Sequence, residues 1–143
     1  MLLPDVNVLV HAVRADSVDH AHAVGWLDAV HAGSEPVGLC SPVLGGLVRV
    51  ATHPRIWSTP TPEDVLWDFI EALRSSSLHR FLGAGPRHPD LVRQLCTEAD
   101  ARGNLVADAV IGAISVEHGS TVVSTDRDFA RFPSVRWRHP WVA

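Results

Sequence analysis

The apolar residues of this chain fall into short runs that follow two different spacings. Short runs of apolar, often β-branched residues predict buried strands, and apolar residues three and four positions apart predict helices. The predicted strands cover residues 37–40, 79–82 and 121–123, with a short apolar start at 2–4 and a last edge strand at 135–137. The predicted helices cover residues 19–30, 42–51, 90–101 and 108–118, and one more begins at Thr61-Pro62-Glu63-Asp64. Residues 6–13 fit a strand or a buried helix equally well, because periodicity does not separate the two in a short apolar run.

Two helices carry recognisable end signals. Ser41 stands before Pro42, which predicts an N-cap followed by proline at the first helical position. Asp108 opens a segment that is almost wholly apolar up to His118, and Gly119 follows it as a predicted C-cap. A helix that is apolar on all sides is expected to be buried.

Strands alternate with helices along the whole chain. This order favours a parallel sheet covered by helices on both faces, a three-layer α/β/α arrangement. In such sheets, ligands bind beyond the carboxyl ends of the strands. The length of 143 residues fits one domain spanning residues 1–143.

Four aspartates fall where predicted strands end or where a predicted helix begins. Asp5 follows the first strand, Asp126 and Asp128 follow residues 121–123, and Asp108 opens the buried helix. Carboxylates crowded at one edge of a sheet repel one another, and a hard divalent cation such as Mg²⁺ relieves that repulsion. For each residue alone, a plainer interpretation stays open: a helix cap for Asp108 and turn-shaping roles for Asp126 and Asp128. The convergence of three separate segments favours the metal site for the set.

The charged composition narrows the chemistry further. All 12 basic residues are arginines, and the absence of lysine excludes P-loop NTPases and Schiff-base enzymes. The sequence contains neither a His-Glu-x-x-His nor a Gly-x-Ser-x-Gly motif, so zinc catalysis and a serine hydrolase have no support. A net charge of −4 excludes a strongly basic nucleic-acid coat protein but suits a nuclease with an acidic centre.

The apolar runs also bear on location. None of them approaches the roughly 20 residues that a membrane-spanning helix needs. Asp5 interrupts the first apolar stretch, so no secretory leader is expected. These features predict a cytoplasmic protein without a membrane partner, in which Cys40 and Cys96 are reduced, buried thiols.

Four segments, in order, resemble the motifs of one nuclease family. The segment Asp5-Val-Asn7-Val-Leu-Val resembles the opening motif of PIN-domain ribonucleases. The segment Leu105-Val-Ala-Asp108-Ala-Val-Ile-Gly-Ala resembles their third acidic motif. The segment Ser124-Thr125-Asp126-Arg-Asp128-Phe129 resembles their closing motif. Residues 48–55 resemble the middle helix and loop of VapC-type toxins from bacterial type II toxin–antitoxin pairs. Each motif alone is weak, but the ordered set covers residue 2 to about residue 137 and is specific.

The resemblance implies a PIN-like fold with a mostly parallel five-stranded sheet. It implies an endoribonuclease that depends on Mg²⁺, or on Mn²⁺ in its place, and acts on structured RNA such as tRNA or rRNA. It also implies a homodimer that a small cognate antitoxin inhibits. Asp5 and Asp108 would be the principal metal ligands, Asp126 would complete the site, and Asp128 would act nearby or through water. Asn7 and Thr125 would hold the carboxylates in place by hydrogen bonds, and a metal-activated water would attack the phosphodiester.

The chain departs from the family pattern at one position. The family usually carries a glutamate on the middle helix, three residues before the arginine, where this chain has Gly46 beside Gly45. A second metal site is therefore in doubt, and a PIN fold that binds RNA or protein with weak or no cleavage remains an alternative. A DNA-directed or flap nuclease is a third interpretation, which the small size disfavours. Trp57 and Trp141 are candidates for stacking on bases or binding a partner.

Overall fold

A five-stranded sheet forms the centre of the fold. The computed structural model describes residues 1–142. In the spatial order β3-β2-β1-β4-β5, the strands are β1 (Leu2–Pro4), β2 (Val37–Leu39), β3 (His79–Phe81), β4 (Thr121–Val123) and β5 (Trp137–Arg138). All four pairs of neighbouring strands are parallel, so the predicted α/β architecture is confirmed, and the sheet is parallel throughout rather than mostly parallel. The last strand begins two residues later than predicted, because a turn in which Val135 N–H donates to Phe132 O (3.0 Å) precedes it.

Helices connect the strands and pack around the sheet. They are α1 (Val6–Val13), α2 (His20–Ala32), α3 (Ser41–Ala51), α4 (Glu63–Ser75), α5 (His88–Ala99) and α6 (Asn104–Glu117), with a 3₁₀ helix at Arg127–Arg131. The open question at residues 6–13 is settled as a helix. The chain leaves β1 after three residues, Asp5 keeps an extended backbone (φ −78°, ψ 167°), and α1 begins directly after it.

Several predicted helix starts are wrong. Helix α5 begins at His88, two residues before the predicted start at Asp90. Cys40, not Ser41, takes the N-cap position of α3, and Ser41 is the first helical residue. Helix α6 begins at Asn104, four residues before the predicted start at Asp108. Gly103 takes a positive φ of 56° just before α6, a backbone conformation that glycine adopts without strain. Asp108 therefore lies in the second turn of α6 and does not cap the helix.

The centre of the sheet is buried on both faces. Leu2 and Leu3 of β1 and Val122 and Val123 of β4 are almost completely buried, as expected for parallel strands covered by helices. Helix α6 is buried along residues 111–115, which confirms the prediction from its apolar composition. Because β1 and β4 are parallel neighbours in the middle of the sheet, the residues that follow them emerge side by side at one edge.

The predicted state of the cysteines is confirmed in part. Both are free thiols, and Cys40 is fully buried, which raises the pKa of its thiol to about 11. Cys96 is only half-buried, because it packs at the margin of the main core. No helix within residues 1–142 is long and apolar enough to cross a membrane.

The two adjacent glycines of α3 have different surroundings. A Cβ atom built on Gly46 would lie 2.5 Å from Cγ2 of Val6 on α1, whereas a Cβ atom on Gly45 would have nothing within 4 Å. Valine is restricted to few rotamers in a helix, so Val6 cannot move aside freely. Gly46 is therefore the residue that allows α1 and α3 to approach, and Gly45 is not.

We expect opposite results from alanine at the two glycines. Gly46→Ala should lower the free energy of unfolding by about 1 kcal/mol or more, because the overpacking penalty exceeds the gain in helix propensity. Gly45→Ala should leave the stability unchanged or raise it by up to about 1 kcal/mol, because only the propensity changes. Urea denaturation of both variants measures the difference. Equal effects at the two positions would contradict the packing role of Gly46.

Candidate functional site

The four aspartates singled out in the sequence line a single pocket of about 820 Å³. Asp5 follows β1, Asp126 and Asp128 follow β4, and Asp108 enters from the second turn of α6. Oxygen atoms of Asp108, Asp126 and Asp128 all lie within 4.8 Å of one another. Asp5 is only 6% exposed and lines the same pocket, but it stands outside that tighter group of three.

Ser124, which the sequence did not single out as a site residue, connects the segments that carry Asp5 and Asp126. The hydroxyl of Ser124 donates to Oδ2 of Asp5 (2.9 Å) and accepts from the backbone N–H of Asp126 (3.0 Å). It also accepts from Nδ2 of Asn7 (3.0 Å). Ser124 is completely buried, so these contacts fix it in one orientation. The signal that could have identified it is its place directly after β4, before Thr125 and Asp126.

Asn7 and Thr125 were expected to hold the carboxylates by hydrogen bonds, but the structure shows other contacts for both. The side chain of Asn7 bonds to Ser124, and its Oδ1 accepts from the backbone N–H of Thr125 (3.3 Å). Within residues 1–142, neither side chain bonds to a carboxylate directly. Asn7 therefore ties the end of β4 to the start of α1, and the amide of Thr125 rather than its hydroxyl takes part.

The plainer interpretation, in which an aspartate caps a helix or shapes a turn, holds for Asp126. Oδ1 of Asp126 accepts from the backbone N–H of Asp128 (2.8 Å) and so caps the 3₁₀ helix. That bond uses only one of its two carboxylate oxygens, so a metal ion can still bind the other. For Asp108 the capping role is excluded by its position in the second turn of α6.

Burial and mutual repulsion disfavour negative charge in the pocket. Burial raises the pKa of Asp108 to about 7, and the carboxylates of Asp5, Asp126 and Asp128 add to the effect. Burial also raises the pKa of Asp5, opposed by the hydrogen bond from Ser124. A cation bound beside such groups compensates their charge and favours the deprotonated form. A set made only of carboxylate oxygens fits a hard divalent cation such as Mg²⁺ or Mn²⁺ and does not resemble the nitrogen and sulfur ligands of a zinc site.

Another part of the pocket wall comes from α3 and the connection that follows it. Arg49, Val50 and Trp57 line this wall together with Gly46. Trp57 donates its indole N–H to Val50 O (2.9 Å). Arg49 is the one arginine among the described residues that line the pocket, so this wall adds a positive charge to a pocket that is otherwise acidic.

Trp141 lies outside the acidic pocket. Its ring stacks on His22 with the two centroids 5.8 Å apart and meets His139 edge to face. It lines a separate cavity of about 700 Å³ together with Trp26 and Glu35. Of the two tryptophans left open by the sequence, only Trp57 is placed beside the carboxylates.

The raised pKa of Asp108 predicts a pH dependence of stability. Because the folded state holds this proton more tightly than the unfolded state, the contribution of Asp108 to stability is complete below its ordinary pKa of 3.8 and is lost as the pH rises through about 7. In EDTA, the free energy of unfolding of the parent protein should therefore fall relative to that of Asp108→Asn across this range. Urea denaturation at several pH values measures the difference. Asp28→Asn, at an exposed position on α2, is the control and should follow the parent; an Asp108→Asn profile parallel to that of the parent would contradict the prediction.

Comparison with known proteins agrees with this geometry over almost the whole chain. The family model of the PIN domain matches residues 2–135. Ribonuclease VapC25 of Mycobacterium tuberculosis is 45% identical over 140 residues, which are 98% of this chain and 99% of that protein. The VapC ribonuclease Mb2897 of Mycobacterium bovis is 44% identical over 140 residues, covering 98% and 95% of the two chains.

Solved structures with lower sequence identity have the same fold. The complex VapBC2 from Rickettsia felis, bound to a DNA fragment from its promoter, contains a chain that superposes with a TM-score of 0.72 at 15% identity, covering 96% of this chain and 97% of that one. VapC20 of Mycobacterium tuberculosis, described as a Sarcin-Ricin loop cleaving toxin, gives a TM-score of 0.70 at 17% identity, covering 95% and 99%. Together, the match over residues 2–135 and the identity over the full length of VapC25 and Mb2897 show that this chain belongs to the PIN-domain family, among its VapC members.

Proposed function

We propose that this protein is a divalent-metal-dependent endoribonuclease and the toxin of a toxin–antitoxin pair. The observation that carries the proposal is the pocket in which Asp5, Asp108, Asp126 and Asp128 come together in a chain without lysine. Relatives at 44–45% identity over the full length are named VapC ribonucleases, which supports the same activity here.

Each acidic residue has a role in this proposal. Asp5, Asp108 and Asp126 would hold the ion, Mg²⁺ with Mn²⁺ as a substitute, and Asp128, whose carboxylate lies close to those of Asp108 and Asp126, would act nearby or through water. An ion held there would supply a water of lowered pKa and positive charge beside a phosphodiester. Ser124 fixes the carboxylate of Asp5, and Asn7 fixes Ser124, so the ligands keep their orientation before substrate arrives. Asp108, with a pKa of about 7, gives up its proton when a cation binds.

The proposed substrate is a structured RNA, either a tRNA or an rRNA. VapC20, which shares the fold, is described as a Sarcin-Ricin loop cleaving toxin and is the precedent for an RNA target. A protein with a net charge of −4 is not expected to make many contacts with phosphates. Recognition through the shape of a folded RNA needs few such contacts, and a homodimer would contribute arginines from both copies.

An RNA- or protein-binding module with weak or no cleavage is the second candidate. The observation that favours it is the contact between Gly46 and Val6, because the space that a glutamate side chain would enter is filled by Val6. The site therefore has no carboxylate from α3. We favour the enzyme, because the four aspartates that are present come from other elements and lie in the same pocket without that residue.

The proposal predicts RNA cleavage that depends on both metal and Asp108. The purified protein should cut structured RNA in Mg²⁺ and stop in EDTA. Asp108→Asn should fold and lose about two orders of magnitude or more in cleavage rate, because the charge that holds the ion is reduced. Calorimetry should show weaker Mn²⁺ binding by Asp5→Asn, and expression of Asp108→Asn should no longer arrest growth.

Asp28→Asn is the matched control for the loss of one carboxylate, since Asp28 is exposed on α2 and does not line the pocket. It should cleave at the parent rate. A folded Asp108→Asn protein that cleaves as fast as the parent would overturn the site assignment. A parent protein that binds RNA but never cuts it would favour the second candidate.

We also expect a homodimer and a small cognate antitoxin whose arginine or lysine enters the acidic pocket. Structural neighbours that are VapBC complexes support the expectation of an antitoxin partner. The crowded carboxylates would attract a cationic side chain of that partner. Light scattering should give twice the chain mass of 15.5 kDa. Co-expression with the product of a short neighbouring reading frame should abolish RNA cleavage. A complex in which the pocket remains open to solvent would contradict the proposed mode of inhibition.

A further inference from the structure

The structure buries an arginine beside the pocket that no motif singles out. Arg14 follows α1 and is only 6% exposed. Its Nε and Nη2 donate to the two carboxylate oxygens of Asp16 (2.9 and 2.7 Å). Buried guanidinium groups are rare unless they are paired, so this arginine requires a reason for its position.

The remaining donors of Arg14 bind the connection between α3 and α4, residues 52–62. Nη1 donates to Oγ1 of Thr61 (3.2 Å), and Nη2 donates to the carbonyl of Thr59 (3.0 Å). Thr61 N–H in turn donates to Ala51 O (2.9 Å), which closes the connection into a loop. Arg14 therefore joins the end of α1 to a segment more than 40 residues away in sequence.

The same guanidinium lies over the ring of Trp57, with Cζ 3.8 Å from the ring centroid. One face of the indole is thus covered, and its N–H is already bonded to Val50 O. A cation over an indole face is attracted by the ring, more strongly where water is excluded. Trp57 is held as a fixed part of the pocket wall and not as a freely stacking ring.

The wall that Arg14 holds carries the one arginine among the described residues that line the pocket. Trp57 and Val50 line the pocket next to Arg49, and the carbonyl of Val50 binds Trp57. This wall lines the same pocket as the aspartates, so a polyanion bound at the aspartates shares the pocket with the wall. A displaced wall would therefore change the space that is left for an RNA backbone.

We propose that Arg14 is a positioning residue for RNA: by clamping residues 52–62 and Trp57, it holds the Arg49–Trp57 wall at the distance from the aspartates that an RNA strand requires. This inference rests on the proposed ribonuclease function. Arg14 itself does not line the pocket and touches no reacting atom. Its loss should weaken RNA binding while leaving the metal ligands in place.

The test compares Arg14→Lys, which keeps the charge but loses the planar fork, with Thr61→Val, which removes one contact between Arg14 and the loop at nearly constant volume. Arg14→Lys should raise KM for RNA about tenfold with kcat within about twofold of the parent, because binding and not the chemical step is lost. Thr61→Val should change KM in the same direction by about two- to threefold. Mn²⁺ affinity should be unchanged in both variants.

Limited proteolysis reports on the loop independently of activity. The chain has no lysine, so trypsin cuts only after arginine, and Arg55 is exposed in the middle of the loop. Cleavage between Arg55 and Ile56 should be about tenfold faster in Arg14→Lys than in the parent, because local opening exposes the site. Mass spectrometry identifies the fragments 1–55 and 56–143.

Two controls separate positioning from charge and from general loss of stability. Arg74→Lys, at an arginine that pairs with Glu71 on the surface of α4, should leave KM and the proteolysis rate unchanged. Leu27 lies on α2 and packs in a small apolar cluster with Ala12 and Ala23. Leu27→Val should lower the thermal stability without changing KM. Leu27→Val and Arg14→Lys raising KM to the same extent would overturn the inference.

The outcomes also separate this inference from the proposed function. A parent protein that cuts no RNA rejects the proposed function, and the loop is then tested by proteolysis and by binding of a labelled RNA hairpin. An active parent whose Arg14→Lys and Thr61→Val variants keep the parental KM overturns the inference alone. If both variants keep the parental KM but bind a protein partner more weakly than the parent does, the clamped loop serves that partner and not RNA.

Discussion

Repulsion between carboxylates at the open edge of the sheet is the constraint around which this structure is organised. The fold brings four aspartates to one pocket without a lysine, and burial lifts the pKa of Asp108 to about 7. Hydrogen bonds offset part of this cost: the hydroxyl of Ser124 donates to the carboxylate of Asp5 and so stabilises its charged form. The single hydroxyl of Ser124 bonds to three groups: the carboxylate of Asp5, the side chain of Asn7 and the amide of Asp126. If the site binds a metal ion as proposed, stability and metal affinity are opposed here: the charges that weaken the metal-free fold are those that would bind the ion.

The topology explains why two distant parts of the sequence meet here. β1 and β4 are adjacent in the middle of a parallel sheet, so Asp5 and residues 124–128 leave it side by side. Asn7 and Ser124, 117 residues apart in sequence, then bond directly. Helix α6 passes beside this edge and supplies Asp108 from its second turn. The site depends on three elements of the buried core and not on a mobile loop, which suits ligands that must keep fixed positions.

The sequence predicted this site because its main determinant is regular. Strands that end in aspartate, in a parallel sheet, bring their carboxylates to one edge whatever the details of packing. The predicted start of α6 at Asp108 was wrong because aspartate is not the one N-cap residue type near this point: Gly103, a type that also occurs at N-caps, takes that position. Ser124 and Arg14 were missed for another reason. Their roles come from side-chain contacts with residues far away in sequence, and periodicity holds no information about such contacts.

The replacement of the usual glutamate by Gly46 changes the division of charge within the pocket. With Val6 against Gly46, α3 contributes no acid and instead presents Arg49 to the pocket. The acidic groups then come from the edge of the sheet and from α6, and α3 supplies the one arginine among the described residues that line the pocket. Arg14 adds a buried cation that lies over Trp57 without itself lining the pocket. In the proposed function, the aspartates would hold the metal ion and Arg49 would meet a phosphate of the RNA, so the absence of the glutamate would leave both tasks to other residues.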